Sequence, residues 1–340
     1  MTGTIATSNK QRIVSAMRVT GRMHLGNYHG ALKNWLQLQN QYNCYFFAAD
    51  WHALTTNYEH PEDISQQSLL MIQDWLAAGL DPRACKIFIQ SGVPEHAELH
   101  LLLSMLTPLA WLERVPTYKD QQEKLKEKDL ATYGFLGYPL LQSADILIYK
   151  PNFVPVGEDQ VAHIELTREI ARRFNFLYAG KKGLQAILPE PQVLLTKESK
   201  FPGLDGQKMS KSYNNTIALT EEPASVATKI KTMPTDPARV RRSDPGTPEK
   251  CPVWNLHKIY SNDQVQQWVS TGCRSAGIGC LECKGPLIDS IVAEQKPIIE
   301  RAKEFADPGL VRGIIQKSTE DARAVAQQTL TEVRTVMGIA

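Results

Sequence analysis

Two lysines stand three residues apart in the segment GQKMSKSYNN, at positions 206–215. Lys208 and Lys211 lie here among Gly, Ser and Asn residues, a composition typical of a mobile loop. Two ammonium groups on one short loop can neutralise a polyphosphate. A lone K-x-x-K pair is more often a solvated turn, so the phosphate interpretation needs a partner site elsewhere in the chain.

A second candidate anion site is the tetrad HLGN at positions 24–27. Hydrophobic residues at helical spacing predict a helix from about His24 to Leu38, directly after a short buried strand at 13–17. Unpaired N–H groups and the helix dipole favour anions at such an N-terminus. Gly26 would let a ligand approach the backbone, and His24 could donate to a phosphate. The alternative is a helix that simply begins with His and Gly.

A third group of polar residues shares one helix face. Pro139 marks the predicted start of this helix, and Tyr138, Gln142 and Asp145 follow at i, i+4 and i+7. Asp145 sits in an otherwise apolar turn, so we expect a half-buried carboxylate that needs a partner. A structural hydrogen bond to a neighbouring loop would explain it equally well.

The elements that must position these residues form a parallel α/β pattern. Short buried strands alternate with helices in the first 200 residues, at 13–17, 45–49, 86–90, 152–156 and 193–196. This alternation predicts a Rossmann-like nucleotide-binding sheet. Beyond about residue 220 only helices are predicted. We therefore expect a catalytic domain at 1–219 and an α-helical domain at 220–340.

The composition of the 340-residue chain excludes few classes of protein. It is 42% hydrophobic and 22% charged, with a net charge of +2, so nucleic-acid binding would need local patches such as Arg239, Arg241 and Arg242. No apolar run reaches the length of a membrane span, and residues 1–12 lack the apolar core of a secretory signal. The expectations are a cytoplasmic location and no membrane partner.

Two of these segments together resemble the signatures of one enzyme class. HLGN is similar to the HIGH signature of class I aminoacyl-tRNA synthetases, and KMSKS at 208–212 matches the second signature in full. Within the class, YPLLQSADILIY, VPVGEDQ and HIELTR resemble the tryptophanyl-tRNA synthetase family. The likeness runs from about Ile13 to the C-terminus. Asn27 departs from the His of the HIGH pattern.

The resemblance implies a tryptophan–tRNA ligase that uses ATP and Mg²⁺. It would form tryptophanyl-adenylate and pyrophosphate from L-tryptophan, then transfer tryptophan to tRNA(Trp), without a covalent enzyme intermediate. The catalytic residues carried over are Lys208, Lys211 and His24. The family positions implied to contact ATP are Arg18, His24, Gly26, Asn27, Lys119, Asp159, Lys208, Met209, Ser210 and Lys211.

Specificity for tryptophan is implied to rest on Asp145, which can accept the single donor of an indole, its ring N–H. The implied tryptophan-binding residues are Tyr138, Gln142, Asp145, Val154, Val156 and Gln160. The family forms homodimers, for which the apolar helices between residues 97 and 115 could supply the interface. The alternatives are a tyrosine–tRNA ligase, a non-catalytic RNA-binding or iron–sulfur paralogue, and a nucleotidyltransferase of related fold.

Four of the six cysteines fall in the helical part with the spacing C-x21-C-x6-C-x2-C: Cys251, Cys273, Cys280 and Cys283. In a chain of this kind they indicate metal ligands or free thiols rather than disulfides. A subset of bacterial tryptophanyl-tRNA synthetases has nearly this spacing and binds a [4Fe–4S] cluster near the anticodon region. The first gap here is one residue shorter. A [4Fe–4S] cluster is the favoured prediction, and zinc or free thiols are the alternatives.

Overall fold

The computed structural model describes residues 10–116, 118, 130–196 and 201–340. Its centre is a sheet of five parallel strands in the order β3-β2-β1-β4-β5. The strands are β1 (Arg12–Arg18), β2 (Asn43–Ala49), β3 (Cys85–Ile89), β4 (Phe153–Val156) and β5 (Gln192–Leu195). The predicted Rossmann-like sheet is therefore confirmed.

The strand order reverses between β1 and β4. The chain first builds the sheet outward from β1 to β3, then crosses back to place β4 on the other side of β1. At such a reversal the connections leave in opposite directions, which opens a crevice at the carboxyl ends of the strands. A ligand site is therefore expected beside β1 and β4.

Helices cover both faces of the sheet because the central strands are buried on both sides. In β2, six of the seven residues are buried, the pattern of a parallel strand between helical layers. A continuous helical run follows β1 as α1 (Leu25–Asn27), a π-helical turn (Tyr28–Leu32) and α2 (Lys33–Leu38). The further helices of this part are α3 (Asp50–Asn57), α4 (Ile64–Ala78), α5 (Glu95–Ser104), α6 (Leu109–Glu113), α7 (Tyr133–Leu147) and α8 (Val161–Phe174).

Residues 220–340, all of which are described, contain helices and no strand. They are α9 (Pro223–Thr232), α10 (Pro252–Tyr260), α11 (Asp263–Arg274), α12 (Cys280–Glu304) and α13 (Pro308–Met337). Helix α12 packs against α4, and α13 packs against β3 and α5. The last helix thus shares a hydrophobic core with the sheet.

Two predicted helix starts were wrong, both at a proline. Helix α7 begins at Tyr133, where the Thr132 side chain accepts a hydrogen bond from the Phe135 N–H, so Pro139 lies inside the helix. The sequence also predicts a helix from Pro286 to Phe305, but helix α12 begins at Cys280, so Pro286 lies in its interior. In α7 the hydroxyl of Thr132 stabilises the helix start by a hydrogen bond, whereas a proline is merely compatible with the first helical turn. The face of α7 that carries the polar residues is unaffected by the shift.

Within the described residues, no helix combines the length and the apolar character needed to cross a membrane.

Candidate active site

A cavity of about 350 Å³ opens at the carboxyl ends of β1 and β4. This volume suits a small-molecule ligand. Arg18 lines this cavity. So do all six residues that the sequence implied for tryptophan binding: Tyr138, Gln142, Asp145, Val154, Val156 and Gln160. The strand reversal brings these residues together, because α7 and β4 meet β1 here.

Asp145 is the acceptor at the floor of this cavity, and it is buried rather than half-buried, with 3% exposure. Its Oδ1 accepts from His96 Nδ1 at 2.6 Å, and its Oδ2 accepts from His52 Nε2 at 2.9 Å. Gln90 Nε2 lies 2.8 Å from each oxygen. A carboxylate offers about four acceptor positions, so these donors occupy all of them.

A second layer holds His96 in place. His96 Nε2 lies 2.6 Å from the hydroxyl of Tyr149, so Nδ1 can donate to the carboxylate while Nε2 accepts from the phenol. Burial alone would raise the pKa of Asp145, but His96 and His52 outweigh it and hold the pKa well below its usual range. Burial and the nearby Asp145 raise the pKa of Tyr149, so its hydroxyl remains a donor. The floor of the cavity is a fixed anion.

Sequence reasoning missed the residues around Asp145: His52, Gln90, His96 and Tyr149. One signal was available, because His52 follows β2 and Gln90 follows β3. Side chains just beyond the carboxyl ends of parallel strands converge on the ligand crevice.

His24 caps the helix that follows β1. Its Nδ1 accepts from the Asn27 N–H at 3.3 Å, and Asn27 Oδ1 accepts from the His24 N–H at 3.1 Å. Burial, and to a smaller extent the charge of Lys211, lowers the pKa of His24 to about 4. The ring is therefore neutral near pH 7. Because Nδ1 is the acceptor, the proton is on Nε2, which is left to donate to a ligand.

Gly26 is where the two signature segments meet. Its N–H points to Met209 Sδ at 3.3 Å. A Cβ at this position would lie 2.9 Å from two atoms of the His24 ring and 3.1 Å from the Met209 Cβ, so only glycine fits without displacement. The lysine loop, residues 206–215, therefore lies directly over the first turn of the helix.

Both loop lysines are exposed. Lys211 Nζ donates to the Thr20 carbonyl in the turn after β1, and burial lowers the pKa of Lys211 while Asp74 partly offsets this. A buried Asn215, which sequence reasoning missed, holds the loop in shape. Its Oδ1 accepts from the Ser210 N–H at 2.8 Å, and its Nδ2 donates to the Lys208 carbonyl at 3.2 Å.

Two residues implied for ATP binding, Asp159 and Lys119, do not line the cavity as described: one lies outside it, and the other outside the described residues. Asp159 is exposed, outside the cavity lining, and accepts from Gln160 Nε2 at 2.9 Å. Lys119 lies outside the described residues.

The four cysteines of the helical part line one small cavity, together with Arg239 and Lys284: Cys251, Cys273, Cys280 and Cys283. All are free thiols. Burial and then the other three thiols raise the pKa of Cys283 to about 12. Across the described part of the chain, no three His, Cys, Asp or Glu side chains converge closely enough to hold a metal ion. The four thiols thus share a cavity without being arranged around one ion.

Comparison with known proteins gives one family. Residues 7–293 match the family described as tRNA synthetases class I (W and Y). A tryptophan–tRNA ligase of Ralstonia nicotianae is 55% identical over 97% of this chain and 98% of its own. A tryptophan–tRNA ligase of Thermotoga maritima is 50% identical over 96% of this chain and 99% of its own.

Solved structures agree with this result. A tryptophanyl-tRNA synthetase from Campylobacter jejuni, crystallised with ADP and tryptophan, is 30% identical with a TM-score of 0.84 and covers 96% of this chain and 99% of its own. A tyrosyl-tRNA synthetase from Archaeoglobus fulgidus is 21% identical with a TM-score of 0.60, covering 87% of this chain and 91% of its own. The second likeness concerns the fold alone.

Proposed function

The chain belongs to the class I tRNA synthetases for tryptophan and tyrosine and is a tryptophan–tRNA ligase, and on that basis we propose the roles of its residues. In the first step the tryptophan carboxylate attacks the α-phosphate of ATP, the bond to the β-phosphate breaks and pyrophosphate leaves. In the second step a terminal ribose hydroxyl of tRNA(Trp) takes the tryptophanyl group, and AMP leaves. Neither step needs a covalent enzyme intermediate, so positioning and charge neutralisation carry the catalysis.

The buried carboxylate of Asp145 is the observation that carries the assignment of the amino-acid site. It is the fixed acceptor at the floor of the 350 Å³ cavity, and it would take the ring N–H of the indole. Val154 and Val156 would contact the apolar ring, while Tyr138, Gln142 and Gln160 would hold the ammonium and carboxylate groups.

The indole N–H would replace His52 as a hydrogen-bond donor to Asp145 Oδ2. Three side chains donate to Asp145, but of these only His52 also lines the cavity, with a side chain 14% exposed. Gln90 and His96 are fully buried behind the carboxylate. Turning the His52 ring away frees Oδ2 for the ligand without opening the core. An amino acid of similar size without an N–H would displace His52 without replacing the hydrogen bond to Oδ2 that this displacement breaks, which is costly.

The helix start and the lysine loop would bind ATP from two sides. His24 Nε2–H and the N–H group of Gly26 would face the phosphates and the adenosine, and Asn27 would hold the His24 ring through its capping bonds. Lys208, Ser210 and Lys211 would follow the β- and γ-phosphates as pyrophosphate forms. Mg²⁺ bound with ATP would neutralise further charge there. Met209 covers the Gly26 N–H, so it must move when the nucleotide enters.

Two other residues implied by the family complete the proposed ATP site. Arg18 is half-buried beside the cavity and would contact ATP, while Asp159 would accept from the ribose or from the amine of tryptophan after a rotation of its side chain. Lys119 is proposed as a further phosphate contact on its family position alone.

The helical part at 220–340 is proposed to bind the anticodon region of tRNA(Trp), and the exposed Arg241 and Arg242 support this. A homodimer is supported by exposed apolar side chains on and after α5: Leu101, Met105 and Leu109 are 54%, 67% and 55% exposed. A mass measurement in solution tests the dimer. We propose the cytoplasm as the location, because charged tRNA is consumed there.

The cysteine cavity is proposed to hold a [4Fe–4S] cluster, with zinc as the alternative. Four thiols around one cavity are a donor set that suits either. A single zinc ion needs all four sulfurs within about 2.3 Å of one point, whereas a cubane cluster carries each thiolate on a different iron. Among the described residues the four thiols line one cavity but no three metal-ligating side chains are grouped for an ion, so the proposal rests on the donor set and on the cysteine spacing. Iron, sulfide and zinc analysis of anaerobically purified protein decides between them.

ATP–pyrophosphate exchange with each of the twenty amino acids tests the proposed activation step. Activity with tryptophan is expected. Activity with tyrosine instead would favour the tyrosyl enzyme, whose likeness to this chain is one of fold. Absence of exchange with every amino acid would favour a non-catalytic protein.

A further inference from the structure

One histidine links the helical part of the chain to the first signature segment. His29 lies in the π-helical turn directly after HLGN. Its Nε2 lies 2.8 Å from Glu294 Oε2 on α12 and 3.0 Å from the Tyr260 hydroxyl at the end of α10. The Tyr260 hydroxyl also donates to the same Glu294 oxygen at 2.9 Å. Three elements that are distant in sequence thus share one hydrogen-bonded group.

The face of the same imidazole contacts Phe201, which in turn bonds the lysine loop. The His29 ring stacks on the ring of Phe201 with centroids 4.7 Å apart and planes 23° apart. Phe201 is 2% exposed, and its carbonyl accepts from the Met209 N–H at 2.9 Å. Since Met209 also covers the Gly26 N–H, His29 contacts the residue that anchors the loop over the helix start.

Helix α10 contacts the same loop at its other end. A Cβ on Gly206, whose φ is +85°, would lie 3.0 Å from two side-chain atoms of Pro252 in the first turn of α10. The last residue of that helix, Tyr260, bonds His29. One nine-residue helix therefore contacts the lysine loop at its start and the signature helix at its end.

We propose that His29 is a positioning residue for adenylate formation, through which Glu294 and Tyr260 fix the lysine loop relative to the helix that follows β1. The inference rests on the proposed role of that loop in binding the phosphates. None of these residues lines the tryptophan cavity. Gly30 and Ala31 of the same turn do line it, so we expect a disturbance at His29 to change the alignment of the phosphates far more than the binding of tryptophan.

Two single variants test this role. His29→Phe keeps an aromatic ring on Phe201 but removes both hydrogen bonds, and Glu294 retains Lys33 and Tyr260 as partners. Tyr260→Phe removes one hydroxyl from a different element. We expect each to lower kcat for tryptophan-dependent ATP–pyrophosphate exchange, His29→Phe by about 10- to 100-fold, with KM for tryptophan within about twofold. The matched control is Lys33→Gln, which removes the outer contact of Glu294, and it should stay within about twofold of the wild type.

The double variant separates coupling from independent damage. Because His29 and Tyr260 act in one group, His29→Phe with Tyr260→Phe should be about as slow as His29→Phe alone. The inference is overturned if the fold-losses in kcat of the two single variants multiply in the double variant. It is also overturned if kcat of His29→Phe is unchanged, or if its KM for tryptophan rises as much as kcat falls. If His29→Phe does not fold, an unchanged kcat in Tyr260→Phe overturns it. A wild-type protein without tryptophan-dependent exchange would contradict the proposed function instead.

Discussion

The imidazole of His96 and the carboxylate of Asp145 lie 2.6 Å apart beneath the proposed tryptophan site. His96 is fully buried and Asp145 is 3% exposed, so water does not compete for this hydrogen bond to the carboxylate. The arrangement keeps an anion in a cavity that otherwise offers apolar contacts. A ligand with one suitably placed N–H donor gains from it, and a ligand without one does not.

Replacing Asp145 by Asn tests the charge of this acceptor at nearly constant shape. Asn retains one carbonyl oxygen but presents an amide N–H₂ group to His52, His96 and Gln90, which also donate. We expect kcat/KM for tryptophan in pyrophosphate exchange to fall by about 100-fold or more. An unchanged kcat/KM would rule out Asp145 as the indole acceptor.

Asp145→Ala should lower stability as well as recognition of tryptophan. From the sequence alone, the substitution is expected to affect recognition far more than folding. Its removal leaves the buried donors of His96 and Gln90 without an acceptor. The free energy of unfolding should fall by about 3 kcal/mol or more, measured by urea denaturation. A fall below about 1 kcal/mol would show that the donors find other partners.

Tyr149→Phe tests the second layer behind the carboxylate. The variant keeps the buried ring, which stacks on Tyr45, and removes only the hydroxyl that bonds His96 Nε2. We expect KM for tryptophan to rise about three- to tenfold with little change in kcat, because the histidine is less firmly oriented. Tyr133→Phe, whose parent side chain is 67% exposed, is the control. Equal effects from the two variants would remove Tyr149 from the positioning network.

Lys211→Met and Lys208→Met test the lysine loop. Because both side chains are exposed, neither change should alter folding. Each should lower kcat of pyrophosphate exchange by about 100-fold or more, with KM for tryptophan unchanged, since the lysines act as charge moves to the leaving group. Lys303→Met, whose parent side chain is 69% exposed, should behave as the wild type. A loss confined to KM for tryptophan would place the lysines elsewhere.

His24 should lower the acid stability of the protein. Its pKa is about 4 in the folded chain, mainly through burial, and 6.5 is the ordinary value. Between these values the unfolded chain binds more protons, so the free energy of unfolding falls as pH falls from 6.5 towards 4. His163 and His257, also with pKa values lowered to about 4 by burial, act in the same direction.

His24→Asn keeps a capping side chain and removes the titrating ring. Between pH 6.5 and 4.5 the unfolding free energy of this variant should depend on pH less steeply, by about one proton. Burial alone would raise the pKa of Glu294, but His29 and Lys33 outweigh it and lower the pKa to about 2. The stability that this carboxylate contributes is therefore lost only below the chosen pH window. The exposed His60, changed to Asn, is the control. A slope identical to that of the wild type would mean that His24 titrates normally in the fold.

The sequence predicts the parts of the site that belong to one element. The strands, the helix after β1 and the shared face of Tyr138, Gln142 and Asp145 follow from periodicity, and the two signature segments identify the family. The partners of Asp145 do not follow. His52, His96 and Gln90 lie 93, 49 and 55 residues from it in sequence, and only the packing of the ends of β2 and β3 against α5 and α7 brings them together.

The most direct measurement compares tryptophan with an analogue in which sulfur replaces the ring N–H, a benzothienyl-alanine, in ATP–pyrophosphate exchange. The wild-type protein should favour tryptophan in kcat/KM by about 100-fold or more, and Asp145→Asn should lose most of this preference by losing activity with tryptophan. Equal kcat/KM values of the wild type for the two compounds would contradict the claim that Asp145 recognises the indole N–H.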